Sequence, residues 1–289
     1  INDLLAPGVG LHPQFASDVY ITNKAYSSYN GLLATLRHRM SHGLQFDFHY
    51  TYSHSIDNIS APANNVFGTA NDAGGIICDI TDLKKCRGDS DFDVRHIITG
   101  DYIYELPFGH GKQFGSNTPG WLNQIFGGWQ VAGTFNWLSG FAYTTVSNAF
   151  PTSFLLNSPA TFIGTQSDIA VGVHQDASGA FQMFKDPSRA LGAFRGPLGL
   201  EGGTRNNLRG PAFTQFDMGL AKHFPIGEKY VVEFRADAFN VFNHVNFGLP
   251  AAGGGGTGGT ADITAPGSFG VITSAGAPRQ MQFALRLDF

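Results

Sequence analysis

The stretch Gln280-Met281-Gln282-Phe283-Ala284-Leu285-Arg286-Leu287-Asp288-Phe289 alternates without a break. Phe283, Leu285, Leu287 and Phe289 fall on one side of an extended chain; Gln282, Ala284, Arg286 and Asp288 fall on the other. Successive strand side chains point to opposite faces, so a period of two sets one face against apolar material and the other against polar material. The stretch reads as a strand, and it ends on an aromatic residue.

Six further segments repeat the pattern upstream. Leu32, Ala34, Leu36 and Met40 oppose Gly31, Thr35, Arg37 and Arg39. Leu44, Phe46, Phe48, Tyr50 and Tyr52 strictly oppose Gln45, Asp47, His49, Thr51 and Ser53. Ile98, Tyr102, Tyr104 and Leu106 face away from Thr99, Asp101 and Glu105. Trp129, Val131, Gly133, Phe135 and Trp137 alternate with Gln130, Thr134 and Asn136. Phe216, Met218, Leu220 and Phe224 stand against Asp217, Gly219 and His223, and Tyr230, Val232, Phe234 and Ala236 against Glu233, Arg235 and Asp237. Each segment runs for about 10 to 13 residues, where a tilted membrane-crossing strand needs about 9 to 11 and strands of soluble domains are nearer 5 or 6. Tyr50, Tyr52, Tyr102, Tyr104, Trp129 and Trp137 gather near strand ends, as interfacial girdles do.

Composition agrees. The 289 residues hold 38 Gly and 26 Phe with only 14% charged residues, which disfavours a helical enzyme and favours many strands. A net charge of −4 with 18 basic residues argues against a nucleic-acid partner. Mean hydropathy is −0.07, and no segment approaches the run of about 18 apolar residues that a membrane helix needs. A membrane barrel escapes that test, because its apolar band sits in alternate positions.

The connections decide between a barrel and a soluble sandwich whose core faces carry the aromatics. Ser41-His42-Gly43 and Pro225-Ile226-Gly227-Glu228 read as tight turns; 107–126 is intermediate; 57–92, 139–212 and 242–278 are long. Along the chain the order is short, long, medium, long, short, long. A sandwich has no reason for this alternation, whereas an up-and-down outer-membrane barrel has short periplasmic turns and longer extracellular loops. With Phe289 at the periplasmic rim, the strands count back without contradiction. Residues 1–28 then form an extracellular lead-in, ahead of barrel sequence over 29–289.

Several stretches, taken in order, resemble the C-terminal part of a TonB-dependent outer-membrane receptor, of the group with an N-terminal carboxypeptidase-regulatory-like domain. They are Ser28–Arg39, Gly43–Ser53, Ser90-Asp91-Phe92-Asp93-Val94-Arg95-His96, Leu106-Pro107-Phe108-Gly109 and Gly127-Gly128-Trp129-Gln130-Val131. Most telling are Arg235-Ala236-Asp237-Ala238-Phe239-Asn240-Val241-Phe242-Asn243-His244 and the Arg279–Phe289 end, which looks like the signal that the barrel-assembly machinery reads. In that reading Phe283, Leu285, Leu287 and Phe289 form the assembly signal. The resemblance implies a barrel of about 22 strands, filled by a plug and coupled to TonB through a segment upstream.

Strand number and diameter are linked, so about seven strands do not close such a barrel. The expected fold is therefore all-β: an antiparallel, up-and-down transmembrane β-barrel segment, an incomplete part of the larger barrel. The chain begins Ile1-Asn2-Asp3-Leu4 with no initiator Met, basic n-region or apolar h-region, which reads as a mature or partial segment. The expected function is energised uptake of a scarce ligand such as a glycan or metal chelate, in the bacterial outer membrane. The alternative is a non-transporting barrel with an adhesin-like or structural surface. Expected partners are outer-membrane lipid, the assembly machinery, the plug and TonB.

The chemistry of an enzyme is missing. His38, His42, His49, His54 and His96 are scattered, and neither close pair has helical metal-ligand spacing with a carboxylate base. Arg87-Gly88-Asp89 reads as a chance adhesion tripeptide. Asp89, Asp91 and Asp93 alternate without a calcium-loop Gly and distal Glu. Gly253–Gly259 lacks the strand, helix and Lys of a phosphate loop, and no nucleophile motif occurs. No cofactor or metal is expected. Cys78 and Cys86 lie in one polar loop and, in an exported protein, read as a local disulfide.

Overall fold

The structure, a computed structural model, describes residues 23–60, 82–147, 158–198, 203–227, 229–250 and 261–289. Its frame is seven long strands: β1 (Ser27–Ser41), β2 (Leu44–Asp57), β3 (His96–Glu105), β4 (Trp129–Leu138), β5 (Phe213–Ile226), β6 (Tyr230–Phe239) and β7 (Gln280–Asp288). Each pairs antiparallel with its neighbours in chain order, giving a simple meander. Among the described residues β1 pairs only with β2 and β7 only with β6 of these strands, so the sheet is open.

Register follows from the alternation. On one face Leu36, Phe48, Gly100, Phe135 and Phe216 form a continuous cross-strand row. Lower on that face Val131, Leu220, Ala236 and Phe283 form another. On the opposite face Arg37, Asp47, Asp101, Thr134 and Asp217 stand in line. A slip of one residue in any strand would bring its charged set onto the apolar face, so the pattern pins the register.

Apart from the position of Lys222, no described residue buries the apolar face. Among the described residues, every buried hydrophobic side chain lies outside the seven strands. Leu285 is 76% exposed, Phe283 64% and Leu36 63%. At about 25 cal/mol per Å², uncovered aromatic and aliphatic side chains in rows would be untenable in water. A soluble sandwich would have buried this face.

The short connections are tighter than the sequence reading placed them. Ser41 pairs with Leu44, leaving a two-residue turn in which His42 (φ 51) and Gly43 (φ 80) both adopt positive φ, the requirement of a type I′ hairpin. Pro225 stays in β5, opposite Val231, and the turn begins at Gly227 (φ 67); Glu228 lies outside the described residues. Phe289 falls one residue beyond β7 rather than in its last position.

Two connections hold more structure than their sequence announces. The 107–126 segment contains helix α1 (Gly120–Phe126). At the opposite edge of the sheet, the long links fold into a module with its own core. Helix α2 (Pro187–Gly192), capped by the Asp186 carboxylate accepting from the Arg189 amide at 3.0 Å, packs beside strands Phe181–Phe184 and Phe194–Arg195. Strand Val271–Ile272, from the link before β7, pairs with Phe181–Phe184, from the link before β5. Tyr143, Met183, Phe184, Phe194, Phe269 and Ile272 are buried together, and the Phe184 and Phe269 rings stack at 5.4 Å.

Candidate functional site

Two polar regions flank the long-loop edge. The first is a groove of ≈ 350 Å³ on the polar face, lined by Asp101, Thr134, Asp217, Arg235 and Asp237 among others. β3, β5 and β6 position the three carboxylates, because all three occupy the polar phase of their strands. Asp217 accepts from the Asn240 amide at 2.8 Å and the Gln215 side chain at 2.9 Å. Asp237 accepts from Arg235 Nε at 2.8 Å. Asp101 makes no side-chain hydrogen bond or ion pair among the described residues. Arg37 and Asp47 pair at 2.6 Å across β1 and β2 on the same face. The groove presents fixed charge of both signs to whatever fills the concavity.

The second region clamps two loops together. Arg205 and Asp57 form an ion pair whose side chains are each only 2% exposed. Arg205 also donates to the Cys86 carbonyl at 3.0 Å, the Asp89 carbonyl at 3.2 Å and Ser60 Oγ at 2.6 Å. Beside it, Arg209 bridges the carboxylates of Asp89 and Asp93, and Arg95 contacts both at 3.2 and 3.3 Å. His54 Nε2 lies 2.7 Å from Asp89. Buried Asp93 accepts from the Ser55 amide, and Ser90 and Ser55 share a hydroxyl contact at 2.8 Å. Burial pushes the Asp89 pKa up, but the hydrogen bond from His54 and the charges of Arg209 and Arg95 outweigh it and hold the carboxyl below its ordinary value.

His54, Asp89 and Asp93 bring ligand-type atoms within 4.8 Å of one another. The two guanidinium groups already supply the positive charge a cation would bring, so the arrangement is an ion-pair network. Asp89 of the Arg-Gly-Asp tripeptide is committed to that network, and Gly88–Asp89 pairs with the end of β2.

The residues read as an assembly signal lie where the alternation put them. Phe283, Leu285 and Leu287 stand on the apolar face opposite Ala236, Phe234 and Val232. Phe289 is 96% exposed at the short-turn edge. Cys86 is fully buried and disulfide-bonded, while Cys78 lies outside the described residues. The Arg235–His244 stretch ends β6 in a turn where Asn240 and Asn243 take positive φ. The Asn240 side chain accepts from the His244 amide at 2.9 Å and donates to its carbonyl at 2.8 Å.

Sequence reasoning missed Lys222. It sits in apolar phase on β5, between Trp129 and Phe234 in register, yet is 1% exposed. Its ammonium donates to the Ile125 carbonyl at 2.8 Å and the Gly127 carbonyl at 2.6 Å, and lies 4.9 Å from the Trp129 ring centre. Those carbonyls are the orphan acceptors at the end of α1, where a cation is favourable. The available signal was a lone charge at an apolar position, which calls for a polar cover.

A family model described as an outer membrane beta barrel domain matches residues 4–282, nearly the whole chain. The chain therefore belongs to the outer membrane β-barrel proteins, and the outer membrane is where it resides. No curated protein and no solved structure matches it. In such barrels the short turns are periplasmic and the long loops extracellular. The His42–Gly43 edge is thus periplasmic, the buried loop module is extracellular, and the apolar face meets lipid.

Proposed function

We propose that this chain is the C-terminal arc of a TonB-dependent receptor, importing a scarce ligand such as a glycan or metal chelate and catalysing no reaction. The observation that carries the reading is the open sheet with a charged inner face. Seven strands do not enclose a lumen of the size a large transporter needs, so the arc implies further strands. Arg37–Asp47, Arg235–Asp237 and Asp101, which is unpaired among the described residues, would face a plug, whose own polar groups would complete the pairing. The ordered resemblance from Ser28 to Phe289 supports the same assignment.

The test uses the full-length protein in its own cells. Cysteines at Asp101 or Gln130 should cross-link to an upstream plug segment, and uptake of ligands from a panel of metal chelates and oligosaccharides should stop when TonB is depleted. Uptake or surface binding indifferent to TonB would overturn the reading. It would favour a second one, a non-transporting barrel that presents an adhesive surface, for which the independently packed extracellular module speaks.

A further inference from the structure

Helix α1 has an unusual surface for a periplasmic connection. Trp121 is 68% exposed, Phe126 60% and Ile125 53%, within seven residues. The helix carries no charged residue, and its Pro119 N-cap makes no side-chain hydrogen bond. Nearby, Phe108 and Phe114 are also exposed, their rings 5.8 Å apart. Between this aromatic pair and the helix lies a largely apolar cleft of ≈ 490 Å³, lined by Leu106, Phe108, Phe114, Leu122, Phe126 and Trp129. The only Lys or Arg in 107–126, Lys112, turns to Glu105 at 2.8 Å, a residue of the polar phase of β3.

The side of the wall is fixed by three contacts. Lys222 lies in the apolar phase of β5 and reaches the carbonyls of Ile125 and Gly127. Trp129 Nε1, from the apolar phase of β4, donates to the Ile125 carbonyl at 2.9 Å. The Trp129 ring meets Phe234 edge-on at 6.4 Å on that same face. The C-terminal end of α1 is therefore tied to the lipid-facing wall, not to the lumen.

We propose that the 107–126 connection is a membrane anchor, with α1 lying in the headgroup–acyl boundary of the periplasmic leaflet and the cleft receiving a phospholipid acyl chain. The outward Trp and large apolar residues suit the interface, because indole rings settle at that depth. Continuity with the lipid-facing rows of β4, β5 and β6 selects lipid over a protein partner: the C-terminal end of the helix meets that wall. Lys222 closes the helix end, so the wall keeps its cation without exposing it to acyl chains.

Nitroxide labels at Trp121→Cys, and separately at Ile125→Cys, in the full-length protein in phospholipid vesicles test this. Each label should be severalfold more accessible to oxygen than to a water-soluble nickel chelate, with a depth near the acyl carbonyls. A label at Gln113→Cys, on the exposed part of the same connection, should show the reverse preference. Chelate accessibility at both helix sites equal to that at Gln113 would overturn the proposal. So would occlusion from both reagents, which would mean that protein covers the helix. Two sites keep the result readable if one label prevents folding. The outcome does not depend on what the barrel transports.

Discussion

The ring of Phe48 occupies the space where Gly100, its partner across β2 and β3, would carry a Cβ: that atom would stand 2.2 Å from ring Cδ1. One strand further the Tyr102 ring covers Gly133 in the same way, at 2.8 Å. An aromatic laid over the glycine opposite keeps a twisted sheet's apolar face filled where no side chain is available. Gly100→Val should displace Phe48 and cost about 1–3 kcal/mol by overpacking. The measurement is the heat-modifiable, folded fraction in outer membranes, and an unchanged fraction would show that the ring has another place to go.

Substitutions at adjacent positions of β4 should differ sharply. Phe135→Arg places a charge on the lipid face near mid-strand and should cost about 2–4 kcal/mol. Asn136→Arg points into the lumen and should be nearly neutral. Urea unfolding of the two variants in vesicles gives the comparison; equal costs would refute the assignment of faces.

Arg205→Ala should strand Asp57 as a buried, uncompensated charge, a loss of about 3–5 kcal/mol in the extracellular module. Asp57 is the last residue of β2, at the loop end of the sheet, so the loss falls at that edge rather than along the strand ladder. The expected result is therefore faster protease nicking in 57–92 and 139–212 on intact cells, with the barrel still folded.

The Asp89 network should be sensitive to acid but not to mild acidity. The carboxyl's folded pKa lies below its ordinary value, so its contribution is fully present above the ordinary carboxylate range and is lost as pH falls through the lower folded value. Hydrogen-exchange protection of the Ser90 amide should hold near pH 5 and fall only below the unfolded Asp value of about 3.9. Asp89→Asn should flatten that dependence; an identical profile in the variant would assign it elsewhere.

Removal of Phe289 from the full-length protein should lower the amount of folded barrel and leave the ligand affinity of surviving molecules unchanged. It is exposed past the end of β7, at the short-turn edge away from the long-loop module. Semi-native electrophoresis of membranes, alongside binding to the purified folded fraction, separates the two. A changed affinity at normal yield would reverse the assignment.

The strands were legible because their information is local. Leu44–Ser53 carries its face assignment in every residue, and the cross-strand rows follow once the short turns are placed. The extracellular core was not legible. Tyr143, Met183, Phe194 and Phe269 have no common period, and they come from two links with β5 and β6 between them. Arg205 and Asp57 are separated by a distance in sequence that no pattern spans. Helix α1 escaped because it is short, and its propensity is modest; Lys222, which caps it, belongs to a strand almost a hundred residues later.

The pairing of Phe181–Phe184 with Val271–Ile272 has a consequence for the order of assembly. The core of the outer module draws Phe184 and Phe194 from one link and Phe269 and Ile272 from another. It remains unfinished until the later link has been carried across the bilayer and β7 has turned back. A chain whose last strand is out of register would leave Phe184 and Phe194 without Phe269 and Ile272 over them.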